Sequence, residues 1–223
     1  MDNEPYMINF KAARTTMVDC QVRPSDVTLY PIIAAMLDTR REEFVPRALR
    51  EVAYSGEALP LGPGRVVLAP RTIGKMLDAL SIGPDELVLD IGCGLGYVTA
   101  LVGQLAEAVI GVEEDADLAS EATKKLSDQS IDNAIIHEGP MAEGDAAHGP
   151  FDVILIEGGV SSLPQAIADQ LKEGGRIGMI YMDAQVGQMQ VGIKKSGRIA
   201  WRNVFDATAP VLPGFIAKKE FRL

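Results

Sequence analysis

Residues Leu87 to Gly96 read L-V-L-D-I-G-C-G-L-G. An apolar run leads into Asp90, three glycines follow at alternate positions, and residues 97–106 resume helix-like spacing. A short apolar run, a Gly-rich turn and a helix form the unit with which open α/β sheets hold nucleotide-like ligands. Glycine lets the backbone approach a ligand where a Cβ would clash. The helix behind it presents unpaired N–H groups and a partial positive charge.

The residues around the glycines discriminate between ligands. Asp90 precedes Gly92 by two positions, at the expected carboxyl end of the strand. A carboxylate there would repel the pyrophosphate of a dinucleotide and attract an ammonium or a sulfonium. S-adenosylmethionine carries both cations, and its carboxylate can use the loop N–H groups. The dinucleotide fingerprint G-x-G-x-x-G is also absent: the glycines are Gly92, Gly94 and Gly96, with Tyr97 where the third should fall. The segment Ala108 to Val112 reads as the next strand and runs into Glu113 and Glu114. An acid at that point, about 20 residues past the glycines, accepts hydrogen bonds from ribose hydroxyls. Glu113 comes first after the strand and is the better placed. A tight turn without a ligand would require neither acid.

Strand and helix patterns alternate onward from residue 87. Strands are expected near 87–91, 108–113, 134–138, 152–157 and 176–182, and helices over 97–106, 116–129 and 163–172, with Gly174-Gly175 as a helix stop. This alternation implies a parallel sheet covered on both faces. The tail differs. Gln185–Lys195 and Arg198–Asp206 flank Ser196-Gly197, a hairpin turn, and Phe215–Phe221 reads as a last strand. Upstream, residues 8–53 read as helical with breaks near Pro24 and Pro46. Ser25 or Asp26 is expected to cap a helix through about Asp38, with Leu29, Ile32, Ile33, Met36 and Leu37 on its apolar face. Residues 54–70 are too rich in Gly and Pro for a long helix and read as an irregular or short-hairpin connector. Arg71 to Leu80 is helical again and ends at Gly83-Pro84. The expected fold is α/β: a Rossmann-like, doubly wound, mostly parallel sheet with an antiparallel C-terminal finish and a helical N-terminal extension. Residues 1–82 form the extension and connector and 83–223 the cofactor-binding domain, the two making one compact unit.

With 223 residues the chain suits one large domain, and its 5% aromatic content implies an aliphatic core. A net charge of −10 disfavours nucleic acid and an anionic membrane surface as partners. The N-terminus lacks the pattern of a signal peptide, and no run reaches a membrane span of about 18 apolar residues. Cys20, Cys93, His137 and His148 have no zinc-ligand spacing, so no metal is expected. A cytoplasmic protein with reduced thiols is the simplest expectation. Arg65 and Arg71 bracket the connector, either solvated or recruiting an anionic substrate.

Beyond the loop, the chain resembles the protein-L-isoaspartate O-methyltransferases. Met17-Val18 with Gln21, Phe44-Val45-Pro46, Ala53-Tyr54 and Leu59-Pro60-Leu61-Gly62 are similar to that family's M-V-x-x-Q, F-V-P, A-Y and L-P-I-G. Pro150-Phe151-Asp152, Gln170-Leu171-Lys172 and Gly174-Gly175-Arg176 resemble its P-Y-D and Q-L-K-x-G-G-R. The resemblance runs from about residue 17 to 180. It implies S-adenosylmethionine as cofactor and a protein or peptide acceptor. It also implies Asp90, Gly92, Gly94 and Gly96 as the cofactor loop, Glu113 as the ribose acid, and Glu138-Gly139 as the turn whose acid approaches the adenine.

The departures fall on the acceptor side. Where the family has T-I-S-Q-P, this chain has Val66-Val67-Leu68-Ala69-Pro70, so that Val66 and Leu68 stand in place of hydroxyl residues. Glu157-Gly158-Gly159 replaces the family's T-A-A and adds an acid near the expected rim. Each missing buried hydrogen bond costs about 1–3 kcal/mol. Transfer to a carboxylate, already ionised, needs alignment and exclusion of water rather than a base. An alcohol acceptor would need one, and Glu157 is the candidate. The expected function is therefore isoaspartyl carboxyl methylation of the protein-repair type. The alternatives are the same cofactor machinery with another acceptor, a cofactor-binding protein without catalysis, and, distantly, a nicotinamide dehydrogenase.

Overall fold

We describe the protein from a computed structural model covering residues 8–217. The N-terminal segment opens with α1 (Phe10–Met17), whose first turn is capped by the Asn9 side chain. It continues through a π-helical turn, Val18–Val22, and a 3-10 turn, Arg23–Ser25. Helix α2 (Tyr30–Asp38) starts later than expected. Asp26 adopts a left-handed φ of 64° instead of capping. Pro31 lies in the first turn of α2, where its missing N–H has no intrahelical partner to lose. Ile32, Ile33 and Met36 are buried as the periodicity predicts, while Leu29, just outside the helix, is exposed.

Two 3-10 turns, Arg41–Glu43 and Arg47–Val52, lead to the connector. The connector is a hairpin of β1 (Leu59–Gly62) and β2 (Arg65–Val67), an isolated two-stranded antiparallel sheet. Helix α3 (Pro70–Leu80) ends at Ser81 in a left-handed cap, two residues before the expected Gly83-Pro84. Arg41 ties this segment to the rest of the chain. It is completely buried, donates to the carbonyls of Ala53 and Leu68 at 2.8 Å each, and stacks 4.7 Å from the centre of the Tyr97 ring.

The α/β part follows as β3 (Leu87–Ile91), α4 (Tyr97–Gly103), β4 (Ala108–Glu113), α5 (Ala116–Asp128), β5 (Ala134–Glu138), β6 (Phe151–Val160), α6 (Gln165–Asp169), β7 (Leu171–Tyr181), β8 (Gln188–Lys195) and β9 (Arg198–Asp206). The seven strands lie in the order β5-β4-β3-β6-β7-β8-β9. The first five are parallel, and β8 and β9 are antiparallel. The chain order reverses between β3 and β6, which places a crevice at the carboxyl end of β3. Alternate residues of the central strands serve two cores. Val88, Val109, Val153 and Leu155 join Met36, Leu77 and Leu101 on one face, while Leu89, Ile91, Ile110, Ile154 and Ile156 pack on the other.

Ser196 (φ 53°) and Gly197 (φ 73°) form the expected two-residue turn, whose positive dihedrals match strand twist. The helix expected over 163–172 shrinks to Gln165–Asp169. Gly174-Gly175 is no helix stop: Gly174 (φ 80°) lies within β7, where the pairing jumps from Phe151↔Leu171 to Val153↔Arg176. The extra residues form a bulge, another conformation that glycine supplies. The strand expected over Phe215–Phe221 lies partly outside the described residues, and residues 215–217 are in no strand.

Candidate active site

The turn after β3 is built by its glycines. Gly92, Gly94 and Gly96 have φ of 77°, 56° and 86°, a region that side chains with a Cβ disfavour. Gly92 N–H donates to Val112 O at 2.9 Å and Gly96 N–H to Cys93 O at 2.8 Å, folding the loop against β4 before α4 begins. Cys93 is buried in this turn, and burial pushes its thiol well above the ordinary range.

Asp90 and Glu157 occupy the floor. Asp90 has no solvent exposure and accepts from Thr99 Oγ1 of α4 at 2.6 Å. The sequence reading aims its charge at a ligand; the structure folds it inward, beneath the turn, where it clamps β3 to α4. Glu157, at the carboxyl half of β6, is buried against it. Burial raises both carboxyls, most strongly Glu157, where the Asp90 charge adds to the effect. Burial thus disfavours ionisation of both members of the pair. Glu157 is therefore interior and not a solvated strand-end acid.

Glu113, at the end of β4, is also without solvent exposure. Its Oε1 accepts from Arg65 Nη1 at 2.8 Å and from Asp115 N–H at 3.1 Å. Its Oε2 accepts from Arg65 Nη2 at 2.6 Å and from Gly94 N–H at 2.8 Å. Arg65 Nη2 also reaches Gly92 O at 3.1 Å. Arg65 is therefore neither a solvated cation nor free to recruit an anion, contrary to both expectations from the sequence; Arg71 is exposed. Proximity to a lone acid is invisible along the chain, since Arg65 and Glu113 lie 48 positions apart.

Glu138 pairs in register with Glu113 across β4 and β5 and is exposed, and Gly139 N–H donates to Glu113 O at 3.0 Å. The Glu138-Gly139 turn thus borders the acid. On the acceptor side, Val66 is half-buried on β2, whereas Leu68 is in the core at 2% exposure, its carbonyl held by Arg41. His148 Nδ1 lies 2.7 Å from Asp145 Oδ2 and His137 Nδ1 3.8 Å from it. Among the described residues no group of three such side chains could hold a metal ion. No described helix is long and apolar enough to cross a membrane.

The donor and acceptor set fits an adenosine-bearing ligand: a turn with glycine at three alternate positions, a carboxylate at the end of the adjoining strand, and a second acid one strand further. The space above the turn is taken by the hairpin. A Cβ on Gly94 would sit 2.6 Å from Leu61 Cδ1, and one on Gly92 would meet Leu212, Met141 and Arg65.

The sequence and the fold both match known proteins. The family model described as protein-L-isoaspartate(D-aspartate) O-methyltransferase matches residues 15–207. A protein-L-isoaspartate O-methyltransferase of Koribacter versatilis is 34% identical over 199 residues, 89% of this chain and 90% of that protein. One from Syntrophus aciditrophicus is 37% identical over 171 residues, 77% of this chain and 78% of that protein. Among solved structures, a putative protein-L-isoaspartate O-methyltransferase from Plasmodium falciparum, in complex with S-adenosyl-L-homocysteine, superposes with a TM-score of 0.78 at 21% identity. The match covers 93% of this chain and all of that one (100%). Another protein-L-isoaspartate O-methyltransferase superposes with a TM-score of 0.79 at 21% identity, over 91% of this chain and 67% of that one.

Proposed function

The chain belongs to the protein-L-isoaspartate(D-aspartate) O-methyltransferase family, and from that premise we propose that it methylates the free carboxylate of isoaspartyl residues in proteins or peptides. It is an S-adenosylmethionine-dependent methyltransferase. The observation that carries the reading is Glu113, held at the end of β4 by Gly94 N–H of the glycine turn, beside β3, at whose carboxyl end the strand order reverses.

In this proposal Glu113 accepts hydrogen bonds from the ribose hydroxyls, and the turn Gly92–Gly96 lets the backbone close on the ligand. Glu138-Gly139 borders the adenine. Asp90 acts from beneath, fixing the turn through Thr99. The bound cofactor supplies a methyl group on a sulfonium, a strong leaving group. The chain's own task is to hold the acceptor oxygen in line and to exclude water. The acceptor carboxylate is ionised at neutral pH, so it needs no base, and the burial of Glu157 is no obstacle. An alcohol acceptor would find no base there.

The acceptor side has lost polar groups. With Val66 in place of a hydroxyl residue and Leu68 turned into the core, the acceptor carboxylate must find its donors elsewhere. We expect a raised KM for isoaspartyl peptides with transfer intact. Incubation with radiolabelled S-adenosylmethionine and an isoaspartyl peptide, beside its normal aspartyl counterpart, tests the assignment. Label in a base-labile ester of the isoaspartyl peptide alone supports it. No label at high enzyme concentration, with S-adenosylhomocysteine still binding, removes the isoaspartyl acceptor.

A further inference from the structure

The geometry points to a self-closed cofactor site: Arg65 of the β1–β2 hairpin occupies the two acceptor positions on Glu113 that the cofactor ribose would use, and the cofactor enters only when the hairpin lifts. This inference rests on Glu113 being the ribose acid of the proposed methyltransferase.

A carboxylate offers about four directions to hydrogen-bond donors. On Glu113 all are filled. Two are taken by backbone N–H groups, of Gly94 and Asp115, that belong to the turns framing the site. The other two are taken by the Nη1 and Nη2 atoms of one side chain, Arg65. A guanidinium presents two parallel donors to a carboxylate, and so does the vicinal diol of a ribose. The two groups are therefore alternatives for the same pair of oxygens. Arg65 further spans to Gly92 O at 3.1 Å, and so crosses above the turn where the ligand must lie. From the other strand of the hairpin, Leu61 covers Gly94. With the hairpin down, Glu113 has no solvent exposure and the Arg65 side chain only 10%.

The hairpin is built to move as a unit. Its two strands pair only with each other and form no part of the seven-stranded sheet. Leu59 and Val67 anchor its base in the core, whereas Pro63 and Gly64 at its tip are exposed, and nothing lies within 4 Å of a Cβ built on Gly64. A buried ion pair gains little net stability after desolvation. A ligand that binds only the open arrangement can therefore shift the population, at an affinity reduced by the open fraction.

Titration calorimetry with S-adenosylhomocysteine on the wild-type protein and on Arg65→Gln tests the closure, with circular dichroism and a thermal melt to establish that the variant is folded. Closure by Arg65 requires the variant to bind at least about tenfold more tightly. Equal or weaker binding by the folded variant overturns the closure and leaves the methyltransferase standing. Absence of binding in both proteins removes the ribose role of Glu113 and the methyltransferase together with it. Should Arg65→Gln not fold, hydrogen–deuterium exchange on the wild type decides. Saturating S-adenosylhomocysteine should accelerate exchange over residues 59–67, and unchanged or slowed exchange there rejects a lifting hairpin. A wild-type protein that takes up no ligand in that experiment rejects it as well.

Discussion

Asp90 and Glu157 share the floor of the cleft, at the carboxyl ends of the neighbouring parallel strands β3 and β6, both shut off from solvent. Two carboxyls in contact in such a place cannot both ionise without large cost. Their folded values both lie above the unfolded ones. The folded state therefore binds protons more tightly than the unfolded state. The stability from these groups is fully present below the unfolded values and is lost as pH rises through the folded ones. Glu86 and Asp152 are shifted downward and act only on the acid side, where their contribution fades as pH falls. The melting temperature should consequently decline from about pH 5 through about pH 7, where Asp90 titrates, and on into the alkaline range. Glu157→Gln keeps a donor facing Asp90 and removes one titration, so its melting curve should be flatter over that range and higher at the alkaline end. Differential scanning calorimetry across the range checks both.

Thr99 supplies the hydroxyl hydrogen bond to the buried Asp90 carboxyl. Thr99→Val preserves volume and deletes the donor, leaving a buried acceptor short of a partner. A loss of about 1–3 kcal/mol is expected in urea unfolding. The loss should shrink in acid, where Asp90 is protonated and needs less compensation.

Breaking the Arg65–Glu113 pair from the acid side has a different signature. Glu113→Gln leaves a guanidinium in a buried position without its counter-charge. Destabilisation of about 3–5 kcal/mol is expected, together with loss of S-adenosylhomocysteine binding by calorimetry. A variant that binds normally would remove Glu113 from the cofactor site.

Restoring hydroxyls to the acceptor strand should succeed at one position and fail at the other. Val66 is half-buried on β2, so, if it lines the acceptor side as proposed, Val66→Thr should lower the KM for an isoaspartyl peptide with little change in kcat. Leu68 is embedded in the core at 2% exposure. Leu68→Ser removes apolar contacts there and should cost about 2–5 kcal/mol of stability with no kinetic gain. Steady-state kinetics and thermal melts of the two single variants separate these outcomes.

The succession of strands and the glycine turn are legible in the sequence because both rest on local rules. Buried parallel strands are continuous apolar runs, and a left-handed turn demands glycine. Leu87–Ile91, Ala108–Glu113 and Ala134–Glu138 fall where the pattern puts them. The misreadings share a cause, dependence on partners distant in sequence. Gly174-Gly175 looks like a helix stop by composition, and only the strand beside it makes it a bulge. Arg65 looks like a surface cation until the fold brings Glu113 to it. Leu68 looks like an acceptor contact until Arg41 takes its carbonyl and turns the side chain inward. Asp90 lies near the end of β3, where the apolar run puts it, but its direction depends on Thr99 and Glu157.

The stacking of Arg41 on Tyr97 has a bearing on how the chain can be divided. The guanidinium comes from the helical front of the molecule and the ring from the first residue of α4. An excised α/β half would therefore keep a tyrosine face and an aliphatic hollow with nothing to fill them, directly behind the glycine turn. Trimming the front is then a lesion of the ligand loop itself, and fragments that begin at β3 should be sought in inclusion bodies rather than in assays.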